Sequence, residues 1–116
     1  MTANKKTVEL YIDGFNKTDH VQILSCLTDD VVWDIPGAFH TVGKAEFDQQ
    51  IEGNDFIGHP TITITRLVEE HDVVVAEGSV TSARKDGGRL NALFCDVFEL
   101  RDAKIKRLVS YLTVLS

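Results

Sequence analysis

Apolar and polar positions in this chain change period near its middle. In the first half Val8, Tyr11, Ile12 and Phe15 recur at three- and four-residue spacing, the stripe of an amphipathic helix. Asn16-Lys17-Thr18-Asp19 interrupts the stripe, and Thr18 or Asp19 can cap a second helix carrying Val21, Ile23, Leu24 and Leu27. Thr28-Asp29-Asp30 closes that helix; residues 31–35 read as a short β-branched strand stopped by Pro36-Gly37. Ala45, Phe47, Asp48 and Ile51 predict a third helix over 44–51, and 53–60 reads as a loop. Beyond residue 60 the period is two. Strands are expected over 61–65, 73–83, 90–100 and 105–115, joined by hairpin turns at 70–72, 85–89 and 101–104. Helices first and antiparallel strands after is the α+β pattern, with the helices gathered on one face of a curved sheet.

One residue breaks the alternation. Leu90, Ala92, Phe94, Asp96, Phe98 and Leu100 share a strand face, and Asp96 alone among them is not apolar. An ionised carboxylate on a buried face must be paired, or it stays protonated. Asp96 therefore reads either as a salt-bridged or backbone-bonded acid or as a neutral acid able to donate a hydrogen bond to a ligand oxygen. Tyr11, on the helical stripe, is either a core aromatic or a second donor to the same oxygen.

The remaining candidates are weaker. Glu77 shares a strand face with Val73, Val75, Ser79 and Thr81, which is either a cavity wall or a solvated surface. Asp34 alternates with Trp33 and Ile35, so it points out if they point in. His40 lies after the first strand, where a base over a cavity mouth would sit. Trp33 and Tyr111 are amphipathic aromatics suited to a pocket wall or to the core.

Charge and composition exclude several roles. The 116 residues make one domain, and the net charge of −6, without a basic cluster, argues against nucleic acid as a partner. The polar start and the absence of a long apolar run predict neither a signal peptide nor a membrane span. Cys26 and Cys95, far apart, suit buried thiols in a reduced, cytoplasmic protein. Histidines at 20, 40, 59 and 71 are too scattered for a metal site, and no cofactor is expected.

Residues 11–16, 27–30, the turn at Pro36 and the segment Phe94-Cys95-Asp96-Val97-Phe98, in that order and spacing, resemble the SnoaL-like and ketosteroid-isomerase-like members of the nuclear transport factor 2-like superfamily. The resemblance spans residues 8 to 115 and implies a single SnoaL-like domain over 1–116. The implied fold is a cone: a curved antiparallel sheet wrapped around N-terminal helices, a cystatin-like α+β barrel with a deep apolar pocket, dimerising through the outer sheet face. Tyr11 matches the family's oxyanion-hole tyrosine and Asp96 its protonated aspartate, a carboxylic acid held neutral so that it can donate. The general base, an aspartate directly before the proline, falls on Ile35. Classical steroid isomerase activity is accordingly not expected, and Asp34 or His40 would have to serve as base. Trp33, Ile35, Phe94, Phe98, Glu77 and Ser110 are the expected pocket wall. Three functions follow as alternatives: an isomerase, cyclase or hydratase polarising a carbonyl; a binding protein for a small apolar ligand; a dimerising accessory domain. An epoxide-hydrolase site would need an Asp-Arg-Asp cluster, for which Arg84 and Arg89, at a hairpin end, are poor candidates.

Overall fold

The computed structural model describes all 116 residues. Three helices, α1 (Ala3–Lys17), α2 (His20–Ser25) and α3 (Lys44–Gln50), accompany six strands: β1 (Leu27–Ile35), β2 (Phe39–Val42), β3 (Phe56–Glu70), β4 (Val73–Arg84), β5 (Arg89–Arg101) and β6 (Lys104–Val114). The strands form one open sheet in the order β2-β1-β6-β5-β4-β3. The expected α+β cone is present, with one correction: the sheet is mixed, because β1 and β6 run parallel. Their joining segment is most of the chain, so no local pattern could reveal it.

The caps follow the sequence. Thr2 accepts from the Lys5 N–H, and Asp19 accepts from Gln22 N–H to open α2. The β3–β4 and β5–β6 hairpins turn through two residues each, His71-Asp72 and Asp102-Ala103, all at positive φ. That geometry matches the right-handed twist of the flanking strands. Where the period-two pattern slips, the strands bulge. Ile64 pairs with Gly78 and Arg66 with Glu77, so Thr65 is extra and Leu67 returns to the inner face. Gly78 makes this bend possible: a Cβ there would lie 1.9 Å from the Thr63 carbonyl oxygen and 2.9 Å from the Phe94 ring.

Several boundaries differ from expectation. Leu27 starts β1 in place of ending α2, and Thr28-Asp29-Asp30 is strand, its exposed acids paired with Lys44 and Arg101 at 3.7 and 3.1 Å. The segment expected as a loop contributes Phe56 to Pro60 to β3; the proline falls in a second bulge on an edge strand, where its missing N–H is tolerated. Beside it the Asn16 side chain bonds both polar groups of Ile62, at 2.7 and 3.1 Å, which ties α1 to the sheet's free edge. The inner faces of the strands and the stripe of α1 enclose one core centred on Val8, Ile23, Phe47, Val74, Phe98, Ile105 and Leu108, all fully buried.

Candidate functional site

The helices do not fill the cone. A cavity of about 640 Å³ enters between the segment after α3 and the ends of β4 to β6. Its mouth carries Glu52, Ile57, Lys85 and Leu112; its depth is walled by Tyr11, Trp33, Phe94, Asp96 and Ser110, each at most 9% exposed. Aromatic packing fixes the deep end. The Tyr11 ring lies 5.0 Å from Phe15 and 5.4 Å from Phe98, and Trp33 stacks on Phe47 at 4.3 Å.

Asp96 stands in the middle of β5, flanked on its own face by Phe94 and Phe98 and paired across strands with Ala76 and Ser110. None of these is a cation. Burial pushes its carboxyl up to about 7, and a hydrogen bond from Ser110 pulls the other way. Trp33 Nε1 in turn donates to Ser110 Oγ at 3.2 Å. Tyr11 is held well above its ordinary value, first by burial, then by the charge of Asp96 and by Cys26. Both residues are buried and line the same cavity.

Tyr11, Asp96, Trp33, Ile35, Phe94 and Ser110 all line this cavity. The other expected members lie elsewhere. Phe98 is fully buried under Tyr11 and belongs to the core. Glu77 points to the outer face of the sheet, where it pairs with Arg66. Asp34 and His40 face each other across the β1–β2 pair, bonded to one another outside the cavity, with Arg107 3.9 Å from Asp34. The reason is the one-residue alternation: Trp33 and Ile35 point in, so Asp34 points out, and its cross-strand partner His40 follows it. Tyr111 is likewise on the outer face, half exposed.

Glu52 at the mouth was not identifiable from the pattern. It follows α3 directly and is held by His20 Nε2 at 2.6 Å, while His20 Nδ1 meets Asp48 at 2.5 Å. These two carboxylates, Asp48 first, raise the His20 pKa. Only tertiary contact between α2 and α3 brings the three together.

The profile of the SnoaL-like domain family matches residues 8–108. No curated protein sequence matches the chain significantly. Among solved structures, an NTF2-like protein of unknown function from Burkholderia pseudomallei superposes with a TM-score of 0.88 at 16% identity, over 97% of this chain and 92% of that one. An LEH-like epoxide hydrolase from M. tuberculosis gives 0.84 at 18% identity, over 96% and 83%. TerC, co-crystallised with polyporic acid, gives 0.85 at 21% identity, over 94% and 90%. At such identities the likeness is one of fold. Together with the cone, its cavity and the profile match, it identifies this chain as a member of the SnoaL-like domain family with the NTF2-like fold.

Proposed function

We propose that the cavity binds a small, largely apolar molecule through one of its oxygen atoms, held by the Tyr11 hydroxyl and the protonated Asp96 carboxyl. The observation that carries this reading is that Tyr11 and Asp96, both buried, line the same cavity, with no cation across either strand from the acid. A neutral acid at the end of an apolar space favours an acceptor such as a carbonyl or phenolic oxygen over an ammonium group. With the single aspartate Asp96 and no arginine among the lining residues, epoxide opening by an Asp-Arg-Asp cluster is not supported. A small cyclic phenol, 2-naphthol, is the direct probe. Micromolar or tighter binding is expected in calorimetry, weakened by about 1 to 3 kcal/mol in Tyr11→Phe. Equal affinity in both proteins would reject the shared-oxygen reading.

An enzymatic reading retains one candidate base. Glu52 is the remaining carboxylate on the cavity wall, and Ile35 occupies the family's base position. If Glu52 moves a proton, a ketone probe such as 2-tetralone will exchange its α-hydrogens in D₂O, and Glu52→Gln will abolish that exchange. Unchanged exchange in the variant would leave binding without this chemistry.

The outer sheet face supports assembly as a homodimer. Leu93 and Tyr111, each about half exposed at 49% and 52%, adjoin Val75, Cys95, Val97 and Val109 in register, an apolar patch rimmed by the Arg66–Glu77 and Arg107–Glu99 pairs. Light scattering should give twice the chain mass, and Tyr111→Glu should return a monomer.

A further inference from the structure

The geometry points to Ser110 and Trp33 as a directional relay that decides which Asp96 oxygen bears the proton and turns that O–H toward the cavity. The inference deepens the oxygen-binding reading, and rests on it for the ligand's position. Three observations carry it. Ser110 is the cross-strand partner of Asp96 on the inner face of the sheet, buried at 6% exposure. Trp33 Nε1 lies 3.2 Å from Ser110 Oγ. Trp33 is itself buried, pinned between Phe47 and Phe39 with ring centroids at 4.3 and 4.9 Å, so its N–H is held in place.

The direction follows from donor chemistry. An indole nitrogen only donates, whereas a serine hydroxyl donates and accepts. Trp33 therefore fills an accepting site of Ser110 Oγ and polarises the hydroxyl, which favours its donation onward to Asp96. A neutral carboxyl has one carbonyl oxygen and one hydroxyl. Donation by Ser110 makes the oxygen facing β6 the carbonyl-type acceptor. The proton then sits on the other oxygen, which is free to face Tyr11 and the ligand. Without the indole, Ser110 is free to rotate and accept the acid's proton, turning it away from the cavity. Ser110 and Trp33 are positioning residues in this scheme; of the three, only Asp96 contacts the ligand.

The relay can be tested without a ligand. Carboxyl ¹³C NMR of aspartate-labelled protein, with Asp96 assigned by its loss in Asp96→Asn, reads the titration directly. The titratable groups facing Asp96 are Tyr11 on α1, with Cys26 behind it, and Cys95 on the opposite face of β5; all three are shifted upward from values already above neutral. A midpoint near 7 therefore belongs to Asp96. The Ser110→Ala variant should raise that midpoint by about one pH unit, the worth of one hydrogen bond to the charged form. Trp33→Phe should raise it by less, and Ser110→Thr should restore it. An unchanged or lower midpoint in Ser110→Ala overturns the relay. The aiming of the proton is read with 2-naphthol below pH 6, where Asp96 is neutral in every variant. Ser110→Ala and Trp33→Phe should each bind it several-fold more weakly, and Ser110→Thr should not. A shifted midpoint with unchanged naphthol affinity overturns the aiming. Absence of naphthol binding to every protein, wild type included, rejects the oxygen-binding reading with the aiming that depends on it, while the titration still decides the relay.

Discussion

Asp34 and Asp96 are the same side chain on strands of the same sheet, and their surroundings give them opposite roles. Asp34 faces outward, one quarter exposed, bonded to His40 and within 3.9 Å of Arg107. Asp96 faces inward, with aromatic neighbours and a single hydroxyl for company. Residue type does not separate them; the parity of their position along the strand does. A carboxylate on the wet side is a structural ion pair. On the dry side it becomes an acid that holds its proton near neutrality.

The largest expected consequence lies in stability against pH. An unfolded aspartate titrates near 3.8, whereas Asp96 in the fold titrates at about 7. Between those values the native state binds the extra proton, so stability falls as pH rises. Wild type should lose on the order of 4 kcal/mol more than Asp96→Asn between pH 3 and pH 8 in urea unfolding. Parallel curves for the two proteins would show that burial does not hold the proton on Asp96.

An acid placed one residue along β1 is the next test. Ile35→Asp adds a carboxylate at the inner parity, next to the outward Asp34 and beside the same cavity. A loss of about 2 to 3 kcal/mol is expected at pH 8, largely recovered at pH 5 where the new acid is protonated. A loss equal at both pH values would mean that lost packing, and not charge, dominates. Asp34→Asn, in contrast, should change stability by less than about 1 kcal/mol and leave naphthol affinity untouched, as a partly exposed ion pair predicts.

The smallest effect concerns His20, which is shared between Asp48 and Glu52 at the mouth. Its raised pKa means that the clamp stabilises fully below the unfolded histidine value of 6.5 and is lost as pH rises through the folded one. His20→Gln should destabilise by under about 1 kcal/mol at pH 5, since these groups are solvent-screened, and the difference should shrink as pH rises through the raised His20 pKa. A difference that grows with pH would reverse the assignment.

Much of this site was legible in the sequence, for a physical reason. Tyr11 and Asp96 lie on elements whose periodicity is strong, and the alternation of Leu90 to Leu100 shows which face Asp96 takes. What escaped detection depends on contacts between distant segments. β2 has four residues and too little pattern to register, so His40 read as a loop residue above the cavity when it is the cross-strand partner of Asp34. Glu77 lay on a strand whose outer residues are partly apolar, and only the paired Arg66 shows that its face is solvated. Ser110 was expected at the wall, yet its link to Trp33 spans 77 residues of sequence and has no local signature.

The central claim is that Asp96 is a neutral acid inside the cavity. Infrared difference spectroscopy of wild type against Asp96→Asn reads this directly. At pH 6 the difference should show a protonated carboxyl stretch, converting to carboxylate bands as pH rises through about 7. Carboxylate bands already present at pH 6, with no protonated stretch, would contradict it.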